Sequence, residues 1–410
     1  MPSVAWPLLR VAGALAAAGL VCALAAVYLA VLAIAALLSP ANGPPSIVGD
    51  STPTLAVLVP AHNEADLIER CVASLYAQSY PRDRYEVVVI ADNCTDATAL
   101  LGERAGARVL VRDEPGVRGK GRALRWAVDR LVADESAPDA IVVVDADSTA
   151  HPGLLAGLVQ PLRDGAEAVQ GDYEAFPDTP GRGAELRSAA FVLFHRVRFM
   201  GRARLGLPCS LVGNGMLFSR RLLQQHPWEA FSKTEDLEYT IHLRLAGIGP
   251  VFAPDALVRG PVPTSGPRAQ SQRARWEGGR LQVARTALPV LLREITMHHR
   301  WSLIDAAWDL AVPPLGLLAV AGSVGTAVSA LAWSIGVVPA WSLVPWLVSL
   351  AAIASYVLIG LHAAGAPKSL YRALLWAPGF MVRKVLGTVA VLRSAQDESW
   401  IRTERPHESA

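Results

Sequence analysis

Apolar residues follow two regimes along this chain. Val11 to Leu38 runs without a charge or a proline, and no Asp, Glu, Lys or Arg occurs from Leu310 to Pro367. At about 1.5 Å per residue, the first run outspans a hydrocarbon core of roughly 30 Å. It is also longer than the ~7–15 apolar residues of a cleaved signal peptide, so it reads as a retained anchor. The second run divides at Trp333 to Trp341, where Gly336 and Pro339 mark a tight turn between interfacial aromatics. Two spans are predicted there, at 310–333 and 342–364. Three spanning helices make an integral, multi-pass membrane protein.

Between these runs the period changes. After a Pro/Gly/Ser-rich linker come short apolar stretches: Leu55–Val59, Tyr85–Ile90, Ala107–Val111 and Ile141–Val144. They alternate with amphipathic segments from about Glu64 to Gln78 and Gly121 to Ala133. Buried strands alternating with helices predict an α/β fold, a mostly parallel sheet covered on both faces with right-handed crossovers. The implied organisation is a transmembrane helix in 1–39, a linker at 40–53, the α/β domain at 54–300, two spans in 301–366 and a tail from 367 to 410. A helix over 183–205 carries Arg196, Arg198, Arg202 and Arg204 on a face read as solvated rather than as facing lipid headgroups. Ser369–Arg393, broken by Pro378, predicts a helix lying in the membrane interface.

Charge sets the orientation. Arg293, His298, His299 and Arg300 precede the second span, and Lys368, Arg372, Arg383 and Lys384 follow the third. The positive-inside rule puts both flanks, and with them the α/β domain, in the cytoplasm of a cell-membrane protein. Arg10, before the first span, locally favours the opposite sense, but the C-terminal pair carries more charge. The net charge of +2 gives no reason to expect a nucleic-acid partner. Cys22, Cys71, Cys94 and Cys209 lack metal-site spacing and stay reduced in that compartment. The Asn93-Cys94-Thr95 sequon is irrelevant on that side.

In a sheet of this kind, loops at the carboxyl ends of the strands line one crevice. Here they read PAHNE (Pro60–Glu64), ADNCTD (Ala91–Asp96) and DADS (Asp145–Ser148). The glycine-rich dinucleotide turn is missing from the first loop, and GKG (Gly119–Gly121) lacks the remaining residues of a P-loop. Asp145 and Asp147 offer another way to neutralise phosphate, a divalent cation held by paired carboxylates. That pattern suits a nucleotide-sugar site, where a cation stabilises a diphosphate leaving group.

The order PAHNE, ADNCTD, GKGRAL, DADS, GNG (Gly213–Gly215), TED (Thr234–Asp236) and QRARW (Gln272–Trp276) resembles membrane-bound family 2 glycosyltransferases. These include the cellulose, hyaluronan and poly-N-acetylglucosamine synthases. The resemblance covers about 53–280 and, more loosely, WIRTER (Trp400–Arg405). It implies a GT-A fold and an inverting transfer from a nucleotide-sugar donor, with a UDP-sugar expected, to a lipid or glycan acceptor at the membrane. Pro60, Ala61, Asn63, Glu64 and Asp92 would then meet the donor nucleoside, and Lys120 would lie near the nucleotide. Asp145 and Asp147 would hold Mg2+ or Mn2+, and Asp236 would be the general base. Gln272, Arg273, Arg275 and Trp276 would line the acceptor and the diphosphate.

Each assignment has a plainer competitor. Asp92 could merely cap a helix. The acids of TED suit a helix N-terminus regardless, and Glu238 competes for the role of base. Lys120 could be a solvated charge. A sugar-nucleotide pyrophosphorylase also uses an α/β nucleotide sheet, but three spans and QRARW argue against it. Intact DAD, TED and QRARW argue against an inactive scaffold. The gating motif F-x-V-T of the polymerising relatives is missing between Trp276 and Trp301. Three helices can hardly wall a polar chain off from lipid. Transfer of one or a few sugars is therefore expected, not export of a polymer, unless a homo-oligomer completes a channel.

Overall fold

The computed structural model describes residues 5–39, 52–133, 137–177, 181–262 and 266–379. The chain divides into two compact units, one formed by 1–39, 181–205 and 311–394, the other by 40–180, 206–310 and 395–410.

The larger unit is built on one eight-stranded sheet: β1 (Leu55–Ala61), β2 (Tyr85–Asp92), β3 (Arg108–Arg112), β4 (Ala140–Val143), β5 (Thr149–Ala150), β6 (Ala168–Pro177), β7 (Met216–Ser219) and β8 (Val251–Val262). The order across the sheet is β3-β2-β1-β4-β7-β6-β8-β5. The first four are mutually parallel, with Val57 level with Val87 and with Val142. β7 runs antiparallel to both β4 and β6. Side chains alternate across a strand, so one run of apolar residues serves two cores. Val57, Val59, Val87, Val89 and Val142 pack with Ile68, Val72, Leu75 and Leu158. Ala56, Leu58, Val88, Ile90 and Ile141 pack with Leu124, Val128 and Tyr239. Each fully buried aliphatic side chain contributes about 1.5–3 kcal/mol.

The first helix starts at Ile68, not at Glu64. Residues 64–67 are drawn into the neighbouring loop instead, where the Glu64 and Ala65 N–H groups donate to Thr98 Oγ1 at 2.7 Å and Asp96 Oδ2 at 3.1 Å. β6, β7 and β8 had no clear sequence signature, since glycine, proline and charge interrupt β6 and β8.

The second unit contains Ala5–Leu37, Leu315–Ser334 and Val344–Ala363. Three stretches, Leu9–Leu37, Leu315–Ser334 and Ala340–Ala363, are long and apolar enough to cross a membrane. The helix expected over 183–205 runs from Arg182 to Arg204, with a π-helical segment at Val192–Val197. Tyr356 Oη donates to the Leu193 carbonyl at 2.6 Å within that segment. The expected solvated arginine face is corrected here: Arg198 and Arg202 are buried, Arg202 donating to the Tyr28 hydroxyl and Arg198 lying over the Phe194 ring. Close packing of helices within the unit overrides the charge pattern. Of the expected interfacial helix, Lys368–Ala373 is helical, while 380–393 and WIRTER lie outside the described residues.

Candidate active site

Two asparagines shape the first two loops. Asn63 and Asn93 both have left-handed backbone (φ 55° and 51°), a conformation Asn tolerates better than most residues. Asn63 Oδ1 accepts the Thr95 N–H at 2.7 Å, and Asn93 Oδ1 accepts the Glu114 N–H at 2.8 Å. Pro60 and Ala61 end β1 level with Ile90 and Ala91 of β2, so PAHNE and ADNCTD are braced edge to edge. Asp92 is not a helix cap: Asp96 Oδ1 takes the Thr98 N–H at the helix start. Asp92 pairs instead with the buried Arg112, whose Nη1 donates to Oδ1 at 2.5 Å, while Arg112 Nη2 reaches Glu114 at 2.8 Å. Burial pushes the Asp92 carboxyl above its ordinary range despite that ion pair.

The DADS turn follows β4. The Ser148 N–H closes it on the Asp145 carbonyl at 3.0 Å, and Arg70 Nη2 donates to the Asp147 carbonyl at 3.0 Å. GNG lies behind it. Gly213 and Gly215 have φ of 82° and 65°, and a side chain on Gly215 would strike Val258 Cγ1 at 2.7 Å. Asn214, held between them, is wholly buried.

Lys120 opens the helix Lys120–Val132. Its neighbour Gly121 lies so close under the Ala230 carbonyl that no side chain fits, which seats the helix end in the site. Lys120 Nζ donates to Asp145 Oδ1 at 2.5 Å and to the Gly213 carbonyl. Burial alone would lower its pKa, but Asp145, Glu235 and Asp236 outweigh that and raise it. Lys120 is therefore a paired cation inside the site, not a solvated one.

TED opens the helix Glu235–Leu245. A Cβ placed on Gly213 would meet Asp236 Oδ2 at 3.2 Å and Lys120 Nζ at 3.4 Å. The GNG loop thus touches the lysine and the aspartate at one point. Burial raises Asp236 above its ordinary range, and burial, opposed by Lys120, pushes Glu235 up to about 7. Glu238 is committed elsewhere, accepting the Phe231 and Ser232 N–H groups at 2.9 and 2.8 Å. QRARW lies on the helix Gly266–His298. That helix docks at Gly279, where a Cβ would come within 2.6 Å of Thr234 Cγ2. Gln272 and Arg275 are half-buried, Trp276 is exposed, and the Arg273 side chain lies outside the described residues. Arg275 is close enough to act electrostatically on the half-buried Tyr173 of β6.

Asn214, Ser148, Gln170, Tyr173, Arg70 and Arg112 were not singled out from the sequence. Only Asn214, within GNG, and Ser148, within DADS, lay inside a motif read from the sequence. Gln170 Nε2 donates to the Asn214 carbonyl at 2.8 Å and its Oε1 accepts the Val212 N–H at 2.9 Å. Among the described residues, no group of three His, Cys, Asp or Glu side chains is arranged to hold a metal.

Residues 53–279 match the model of a family described as glycosyltransferase like family 2. The chain belongs to that family. The beta-monoglucosyldiacylglycerol synthase of Synechocystis sp. is 29% identical over 262 residues, covering 59% of this chain and 52% of its own length. A probable glycosyltransferase of Bacillus subtilis is 27% identical over 238 residues, 56% of each chain. The chain spans about half the length of these curated relatives. Among solved structures, a mannosyltransferase from Pyrobaculum calidifontis, in complex with GDP-Man and Mn2+, superposes with a TM-score of 0.53 at 21% identity. That likeness covers 87% of this chain and 98% of the mannosyltransferase, and the sheet is of the GT-A type.

Proposed function

We propose that this enzyme transfers a hexosyl or N-acetylhexosaminyl group, with inversion, from a nucleoside-diphosphate sugar (a UDP-sugar in the first instance) to a lipid or lipid-linked glycan at the membrane. The observation that carries this reading is the Lys120 ammonium bound to both Asp145 and the Gly213 carbonyl, with Asp236 against the same glycine. The two halves of a displacement, base and leaving-group stabiliser, thereby share one loop. The acceptor hydroxyl would attack the anomeric carbon, Asp236 would take its proton, and the bond to the diphosphate oxygen would break. Lys120 and Arg275 are the cations offered to the diphosphate. Asp92, with PAHNE, would receive the nucleoside.

Two carboxylates are hard oxygen donors of the kind that suits a hard divalent cation. Asp145 and Asp147 would hold Mg2+ or Mn2+, which would supply charge neutralisation at the leaving group. Relatives named as glucosyldiacylglycerol synthases support a lipid acceptor. The catalytic unit belongs on the cytoplasmic side of a cell membrane crossed three times, and a homo-oligomer is compatible with this scheme.

The test is to incubate the protein, purified in detergent, with UDP- and GDP-sugars and diacylglycerol or polyprenyl-phosphate acceptors. Release of the free nucleoside diphosphate with one sugar–acceptor pair is expected. No release with any donor, or formation of nucleotide sugar from pyrophosphate exchange, would overturn the proposal.

A further inference from the structure

We infer that Tyr173 and the buried Asn214 and Ser148 form a relay that positions the DADS carboxylates for a divalent cation without touching it. The inference rests on the reading of Asp145 and Asp147 as the cation ligands. Asn214 and Ser148 are fully buried. The Asp145 N–H donates to Asn214 Oδ1 at 3.1 Å. A backbone N–H can only donate, so this bond fixes which end of the amide faces Asp145. The other end is then the NH2 group, and its Nδ2 donates to Ser148 Oγ at 2.8 Å. Ser148 must accept there, which leaves its own proton for Asp147 Oδ1 at 3.2 Å. The amide of Asn214 also shares a hydrogen bond with the Tyr173 hydroxyl. Each link from Asp145 through Asn214 and Ser148 has one allowed direction, and the chain ends on the Asp147 carboxylate.

The surroundings hold this order in place. Left-handed glycines on both sides turn Asn214 inward, and Gln170 grips its carbonyl. Behind the turn, a Cβ on Gly260 would meet the Tyr173 hydroxyl at 2.8 Å and Ser148 Oγ at 3.0 Å. Those two hydroxyls therefore fill the space between β6, β8 and the DADS turn. Groups that hold metal-ligating carboxylates from behind typically change cation affinity by about 10–100-fold when removed.

The experiment measures Mn2+ binding by electron paramagnetic resonance in the presence of UDP, and UDP binding by calorimetry in chelator, on the full-length protein in detergent. Tyr173→Phe and Ser148→Ala are each expected to weaken Mn2+ binding about tenfold. UDP binding in chelator and the thermal midpoint should stay near wild type. Because both changes cut one chain, the double variant should lose less than the product of the single losses. Wild-type Mn2+ affinity in both single variants, or losses that multiply, would overturn the relay alone. Asp147→Asn tests the underlying reading: if it binds Mn2+ as wild type does, or if the wild-type protein binds none, the cation reading falls and the relay with it. Should Ser148→Ala fail to fold, Tyr173→Phe decides the question, since it removes one oxygen from a half-buried ring.

Discussion

Three carboxylates stand within four residues at the start of the helix Glu235–Leu245, and the structure separates them by what each one touches. Glu238 holds the 231–232 backbone through two hydrogen bonds, so it has a structural task. Asp236 faces Gly213 and lies within the field of Lys120. Asp236→Asn is expected to lower turnover by about 10²–10⁴-fold, the usual worth of general-base catalysis. Donor affinity by calorimetry should stay near wild type, and its parallel collapse would remove Asp236 as a simple base. Glu235 gives a stability prediction. Its folded pKa of about 7 lies above the ordinary 4.5, so the folded state holds the proton more tightly than the unfolded one. The resulting stabilisation is complete below about 4.5 and is lost as pH rises through about 7. Glu235→Gln, neutral throughout, should have a flatter melting midpoint across that window in chelator. An unchanged pH dependence would refute the assignment.

At the scale of elements, the site depends on how closely helices approach the sheet and its loops. The helix Lys120–Val132 delivers Lys120 only because Gly121 lies against the Ala230 carbonyl. Gly121→Ala is expected to cost about 1–3 kcal/mol, as overpacking usually does, and to lower kcat by moving the ammonium. A wild-type unfolding midpoint together with wild-type turnover would show the contact to be slack. The strands β1, β2 and β4 were legible because burial on both faces leaves near-continuous apolar runs, while β3, at the sheet edge, kept a short Val-Leu-Val run between two arginines. β6 to β8 were not. β8 carries Pro254 and Pro261, and the β6–β8 register shifts between Gly171 and Asp172, so neither strand has a clean period. Tyr173 and Gln170, which lie on β6, were missed with it.

For the whole molecule, the three apolar stretches and the flanking charges lead to a topology prediction. A cysteine replacing Gly336 should react with an impermeant thiol reagent in intact cells, and one replacing Glu103 should react only after lysis. The reverse pattern would place the catalytic unit outside. Three spanning helices would also lead to a product of one or a few sugars, extractable with lipid after long incubation with radiolabelled donor. A high-molecular-weight polymer made by the protein alone would refute this. The sequence by itself determined the apolar stretches, the parallel half of the sheet, and the positions of Asp92, Asp145, Asp147 and Asp236. Each of those signals is local: uninterrupted burial, or a polar motif directly following a strand. Only the tertiary structure decided that Glu238 is committed to the 231–232 backbone, that Asp92 is locked to Arg112, that Lys120 is paired and not solvated, and that Asn214 stands behind the DADS turn. These depend on contacts across tens of residues, such as Lys120 with Gly213 and Asp145 with Asn214. No window along the chain encodes a hydrogen bond between two loops that meet only after the sheet has formed.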